Sequence, residues 1–356
     1  IILTLLFALL IGWLSSQEHP IAYIFVAIFK LQGIGKPGTE AVPDDLMPAP
    51  RPQGELFFDL PGGGKMPGNG IGMCCRPSAY DPISVYRSVL WHLLQGGRHI
   101  DTAAVYLNHE SVGLALRDAM ARGIPRDEIF LTSKVWPDSY GYQSSIDKVH
   151  RMIKELGVDY IDLVLLHMPI KFNPGVIFKK LTGVIDDAEM STYRTDTWKG
   201  LSTLIDAGLI KNLGVSNFNI RQMKEIQDLK LAPIAANQIQ YHPWLPQFQK
   251  DIATYCHEQG IVITGYFSLG GFDNKDKAME VEVLNEIAKA HQRRPAQILL
   301  RWSLQKNVSI IPGSGNHKHI QANLATYGFS LSAEDMERLD GMSSHPLAKD
   351  FMLMEF

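Results

Sequence analysis

From residue 66 onward two patterns of apolar and polar positions alternate along the chain. Short runs rich in aliphatic and β-branched residues fall at 70–73, 99–103, 129–135, 161–167, 211–216, 235–240, 261–266 and 308–312. Several are continuously apolar, Leu163-Val164-Leu165-Leu166 most clearly, as expected of strands buried on both faces. Between them apolar residues recur at helical spacing, as at Ile146, Val149, Ile153 and Leu156, and again at Val283, Ile287 and Ala290. Eight strand–helix units in succession predict a parallel (β/α)8 TIM barrel, with a doubly wound open sheet as the other arrangement. Gly62-Gly63-Gly64-Lys65 reads as the turn of an N-terminal β-hairpin across the barrel bottom. It is not a phosphate loop, because Asp59 stands where the first glycine belongs and Met66 follows the lysine.

The ends of the chain behave differently. Residues 1–30 form a hydrophobic N-terminal segment of two apolar runs, 1–14 and 21–29, parted by Gln17-Glu18-His19-Pro20. Fourteen helical residues reach about 21 Å, short of the ~30 Å hydrocarbon core of a bilayer. Three readings stay open: a cleaved signal or signal anchor, a membrane-lying or spanning anchor, and an artefact of the deduced start. The first residue is Ile rather than Met, so an upstream piece is expected. Residues 31–53 read as a Pro-rich linker. Within it Gly33-Ile34-Gly35-Lys36-Pro37-Gly38 imitates a dinucleotide fingerprint, but the prolines downstream deny it the helix such a site needs. The barrel is assigned to 54–341 and a tail to 342–356.

Of the 356 residues 46% are apolar and 20% charged, and the net charge is −3. That composition supports a large core and offers no electrostatic footprint for nucleic acid. The three cysteines, Cys74, Cys75 and Cys256, are expected as thiols in a reducing compartment, the adjacent pair being poor disulfide partners. The barrel is therefore placed in the cytoplasm, with a secretory or membrane-anchored location as the alternative that residues 1–30 raise. Asn307-Val308-Ser309 is a glycosylation sequon opening a buried strand, expected to be unused. His317-Lys318-His319 has no carboxylate or cysteine at ligand spacing and is not read as a metal site.

Chemistry on a (β/α)8 barrel sits where the strands end. Strand two ends in Asp101 with Tyr106 five residues on, strand three carries Lys134, and strand four ends in His167. Singly these read as a helix cap, a packed tyrosine, a snorkelling lysine and a structural histidine. Together they are a phenolic acid, an ammonium able to lower its pKa, a carboxylate to hold that ammonium, and an imidazole to polarise a carbonyl. The set lacks an electron source, which a nicotinamide would supply.

The stretches Met66-Pro67-Gly68-Asn69-Gly70-Ile71-Gly72, Gly97-Arg98-His99-Ile100-Asp101-Thr102-Ala103-Ala104-Val105-Tyr106 and Leu131-Thr132-Ser133-Lys134-Val135-Trp136 resemble the aldo-keto reductase family. So do Leu165-Leu166-His167-Met168-Pro169, Gly214-Val215-Ser216-Asn217-Phe218 and Asn237-Gln238. The resemblance runs from about residue 56 to 341. It implies NAD(P)H-dependent reduction of aldehydes or ketones, with Asp101, Tyr106, Lys134 and His167 as the catalytic tetrad and Tyr106 as proton donor. It also implies that Ser216, Asn217 and Gln238 meet the nicotinamide amide and that Tyr266 stacks on its ring. Leu269, Gly270, Ser314, His319 and Asn323 fall at further cofactor positions. The family often carries a lysine after the Ile-Pro that ends strand eight and an arginine six positions later, both on the 2′-phosphate of NADP. Here Gly313 and His319 stand in those places, with Lys318, His317 and Ser314 as candidate replacements. NADP(H) is thus the expected cofactor and NAD(H) the alternative.

Phe267-Ser268 replaces the family's usual Ser-Pro after Tyr266, and the loop 270–278 is expected to close over the pyrophosphate. The resemblance places Met73, Cys74, Trp136 and Met168 in the substrate pocket, with the insert 170–197 as one wall and a short tail leaving the pocket roomy. A small-molecule carbonyl is the expected partner and a monomer the expected state. The second hypothesis is a cofactor-sensing, non-catalytic binding protein on the same barrel.

Overall fold

The computed structural model describes residues 38–170, 187–271, 275–346 and 348. The apolar segment 1–30 and the fingerprint-like glycines at 33 and 35 lie outside these. Among the described residues no helix is long and apolar enough to cross a membrane.

A two-stranded antiparallel hairpin comes first, β1 (Phe57–Asp59) and β2 (Lys65–Pro67), with Gly63 and Gly64 in the left-handed region at its turn. Eight parallel strands follow: β3 (Ile71–Gly72), β4 (His99–Asp101), β5 (Phe130–Val135), β6 (Ile161–Leu166), β7 (Ile210–Ser216), β8 (Ile234–Gln240), β9 (Val262–Tyr266) and β10 (Val308–Ile310). Each pairs with the next in chain order. A parallel bridge between Asn69 and Ile310 joins the last strand to the first, so the sheet closes as a (β/α)8 barrel. All eight strands read from the sequence are present. The first spans only Ile71–Gly72.

Helices follow each of the parallel strands β3 to β10: α1 (Pro82–Leu94), α2 (His109–Ala121), α3 (Tyr142–Leu156), α4 (Asp187–Asp206), α5 (Ile220–Gln227), α6 (Gln247–Glu258), α7 (Lys275–Met279), α8 (Glu282–Ala290), α9 (Pro295–Gln305), α10 (His317–Leu324) and α11 (Ala333–Asp340). Their starts carry local signals. Asp81 accepts from the Ser84 amide with Pro82 next in the chain, and Asn219 and Ser332 form capping boxes with Gln222 and Asp335. Part of the stretch expected as an insert, 170–197, is helical instead: residues 187–197 belong to α4, and 171–186 lie outside the described residues. Between sheet and helices runs the main core, including Val89, Leu131, Val164, Leu213, Ile263 and Leu299.

The hairpin plugs the end where the strands begin. Phe58, Leu60 and Met66 pack with Phe130, Leu163, Leu165, Ala235, Ala236 and Val262 inside the barrel. Asn212 fastens it, accepting from the Gly62 amide and donating to the Gly63 carbonyl. Over residues 38–53 the proline-rich stretch is an extended strap on α1. Trp91 donates to the Glu40 carbonyl, Arg87 to that of Thr39, and the Ala49 amide donates to Leu94. Val42 and Leu46 pack against the main core.

Candidate active site

The barrel brings the four candidate catalytic residues to one mouth. Asp101 is the last residue of β4, Lys134 the penultimate residue of β5, and His167 the first after β6. Tyr106 ends a single 3₁₀ turn, Ala104–Tyr106. Lys134 is fully buried rather than snorkelling, and its ammonium donates to Asp101 Oδ1 at 2.6 Å, to the Thr102 carbonyl at 3.0 Å and to the Tyr106 hydroxyl at 3.4 Å. The His167 ring stands edge-on to Tyr106 and Trp136, with centroids 5.6 and 4.9 Å away, and its Nδ1 is buried without a hydrogen-bond partner.

Burial dominates the electrostatics. It pushes the Lys134 ammonium down, an effect that the Asp101 carboxylate opposes. Tyr106 is raised well above the usual phenol value, by desolvation first and the Asp101 charge next. The net direction is upward because enclosure of the ring and the Asp101 charge outweigh the lowering expected from the neighbouring ammonium. Desolvation and Lys134 hold His167 well below the ordinary imidazole value, so it is neutral near pH 7.

A second polar group sits beside the first. Gln238, from β8, donates to Asp101 Oδ2 at 2.7 Å, and Ser216, ending β7, donates to the Gln238 carbonyl. Asn217 has left-handed backbone, donates to the His167 carbonyl and to Ser216, and accepts from the Tyr266 hydroxyl at 2.6 Å. Neither Ser216 nor Asn217 is the cap of the helix that follows, which is Asn219. Tyr266 is half-buried. Amide donors and acceptors beside a half-buried aromatic ring fit a nicotinamide amide and its flat ring.

The remaining cofactor candidates are placed unevenly. Phe267 takes a left-handed conformation and its carbonyl accepts from the amides of Gly270 and Gly271, which also have positive φ. The Leu269 side chain turns into the core. Ser314, His319 and Asn323 lie just before or within α10, where Asn316 caps the helix by accepting from the amides of Lys318 and His319. Of the loop 270–278, residues 272–274 lie outside the described residues and 275–278 start α7.

Cys74, Trp136 and Met168 join Tyr106, Ala103 and Val105 in one apolar cluster, with Ile170 against it. Met73 is not among them; it is fully buried in the main core. Cys74 and Cys75 are joined as a vicinal disulfide, contrary to the reading of thiols, and only Cys256 is free. Left-handed backbone at Cys75 turns this pair within the loop after β3.

Two positioning residues escaped the sequence reading. Asn108 precedes α2 where a cap belongs, yet makes no side-chain cap. It accepts from Thr102 at 2.7 Å and donates to the carbonyls of Met73 and Ala79, tying the loops after β3 and β4 together beneath Tyr106. Tyr140 accepts from the Met168 amide and donates to its carbonyl, fixing the loop after β6.

The model of the "Aldo/keto reductase family" matches residues 76–344. The chain belongs to this family. Among its relatives, aldo-keto reductase family 1 member A1 of Mus musculus is 34% identical over 293 residues, covering 80% of this chain and 88% of that protein. Member C1 of the same family from Homo sapiens is 37% identical over 263 residues, covering 70% and 79%. A Bombyx mori aldo-keto reductase solved in complex with NADP superposes with a TM-score of 0.72 at 27% identity, covering 83% of this chain and 97% of that one. This aldo/keto reductase is accordingly an oxidoreductase that acts on carbonyl compounds with a nicotinamide cofactor.

Proposed function

We propose that this aldo/keto reductase reduces aldehydes or ketones to alcohols with NADPH, Tyr106 giving the proton. The observation that carries the reading is the buried chain from Asp101 through Lys134 to the Tyr106 hydroxyl, opening on the apolar cluster of Val105, Trp136 and Met168. When bound, the reduced nicotinamide supplies a hydride to the carbonyl carbon.

The residues of the chain divide the rest of the work. A carbonyl oxygen between the Tyr106 hydroxyl and the His167 ring meets two possible donors. His167 is neutral, so surrendering a proton would leave an imidazolate; it orients the carbonyl by a hydrogen bond. Tyr106 is fully protonated at neutral pH, and its proton passes to the oxygen as negative charge builds there. The phenolate left behind lies beside the Lys134 ammonium, which Asp101 holds charged at 2.6 Å. Ser216, Asn217, Gln238 and Tyr266 would hold and orient the nicotinamide. Trp136, Met168 and Cys74 would exclude water and accept the apolar part of a small-molecule substrate.

NADP(H) is supported by the Bombyx mori neighbour and by Ser314 and Lys318 near the start of α10. NAD(H) is the second reading, favoured by Gly313 in place of a lysine and by His319. The intact tetrad gives no support to a non-catalytic cofactor sensor.

The test is oxidation of NADPH with a panel of aromatic and aliphatic aldehydes and ketones, alongside fluorescence titration of NADPH. The Tyr106→Phe variant should lose turnover and keep cofactor binding. Turnover retained in that variant overturns the assignment of the proton donor. A wild-type protein that binds neither NADPH nor NADH overturns the reductase reading.

A further inference from the structure

Gly313 leaves a charge missing, and the structure puts another in the same space. The side chain of Arg76, in the loop after β3, runs back toward the barrel mouth. A Cβ built on Gly313 would lie 2.3 Å from Arg76 Nη1 and 2.7 Å from the Gly72 carbonyl oxygen. A lysine at 313 and the present position of Arg76 therefore exclude each other. The guanidinium fills the seam where β3 and β10 close the barrel, one strand from Tyr266.

Its own contacts leave the cation unanswered. Nε donates to Ser78 Oγ at 3.1 Å, and Nη1 to the carbonyl oxygens of Gly72 at 2.6 Å and Cys74 at 3.5 Å. Nη2 meets only the Met73 thioether, at 3.6 Å, a weak acceptor. Among the described residues no carboxylate pairs with it. Desolvation lowers its pKa to about 10, and the nearest opposing influence is the Tyr80 phenol rather than an acid. Arg76 is half-buried, and a guanidinium drawn partly out of water normally has an anionic partner. Here half of the planar fork that takes phosphate oxygens in pairs is free, beside the glycine whose side chain would otherwise have carried the charge.

We infer that Arg76 grips a phosphate of the nicotinamide dinucleotide, a cation supplied from the first strand-to-helix loop in place of one at position 313. The inference rests on the proposed cofactor use. Gly313 itself is required by the Gly72 carbonyl as well as by Arg76.

The test measures the dissociation constants of NADPH and NADH for wild type and Arg76→Met, with a thermal melt of each without cofactor. Arg76→Met should weaken NADPH about ten- to a hundredfold, the range for one charge-assisted contact. Loss confined to NADPH assigns Arg76 to the 2′-phosphate, and equal loss for NADPH and NADH assigns it to the bridging pyrophosphate. Unchanged NADPH affinity in Arg76→Met overturns the inference while leaving the reductase reading standing. Wild type that binds neither dinucleotide overturns both. Should Arg76→Met not fold, phenylglyoxal labelling of the wild type, mapped by mass spectrometry, decides. Protection of Arg76 by saturating NADPH supports the grip, and equal labelling with and without NADPH overturns it.

Discussion

At the end of the barrel where the strands begin, His99 bonds the Pro67 carbonyl through Nδ1 and the Thr132 hydroxyl through Nε2. At the end where they finish, His167 keeps Nδ1 buried and unpartnered. Both rings are held neutral by burial, His99 down to about 4 and His167 well below its usual value. The difference lies in what surrounds them. The first end is sealed by Phe58, Leu60 and Met66 of the hairpin, which Asn212 fastens through the Gly62 amide and the Gly63 carbonyl. The second gathers an ammonium, a carboxylate, a phenol, two amides and a guanidinium with donors to spare. The plugged end is dominated by apolar packing and the open one by polar groups that a ligand can complete.

Substitutions should therefore separate the two ends. The largest effect is expected for Tyr106→Phe, a fall in kcat/KM of about 10²–10⁴ with little change in the melting temperature. A parallel loss of stability would show that the open end also carries the fold. At the plugged end Met66→Ala should cost about 2–5 kcal/mol in chemical denaturation and leave kcat unchanged, Met66 being fully buried in the hairpin cluster. A large fall in kcat there would mean that the hairpin positions the mouth.

Asp101→Asn sharpens the comparison by charge alone. The carboxylate raises the Lys134 pKa against its burial, so its removal lets the ammonium deprotonate at lower pH. The alkaline limb of kcat/KM should shift to lower pH, read from a pH–rate profile, and a limb that stays put would separate Lys134 from the proton transfer. The smallest effect is on acid stability. His99, pushed to about 4, and His92 and His242, each pushed to about 3, are buried neutral. Depressed folded values stabilise the fold above the unfolded pKa of about 6.5 and lose that contribution as pH falls toward 4 and then 3. Melts from pH 7 to 4 should decline progressively, and a flat profile would show that these rings ionise without unfolding.

Much of this was legible along the chain. Strands buried on both faces read as continuous apolar runs, so β6 stands out most, and strand ends on a parallel barrel point one way, which marks Asp101, Lys134 and His167 without any contact being known. Asn108 illustrates what was hidden: its position before α2 reads as a cap, and only the approach of Thr102, Met73 and Ala79 from other loops turns its side chain to them. Tyr140, the docking of residues 38–53 on α1, and the direction of the Tyr106 shift were hidden in the same way.

Element order, strand identity and the residue types at each strand end follow from local periodicity and composition, which the chain carries in any conformation. The tertiary structure alone decided that burial outweighs the ammonium at Tyr106, that Cys74 and Cys75 are joined, and that Arg76 fills the space above Gly313. Desolvation and close approach depend on which distant segments share a volume, and residues 237 positions apart acquire that relation only when β3 and β10 meet.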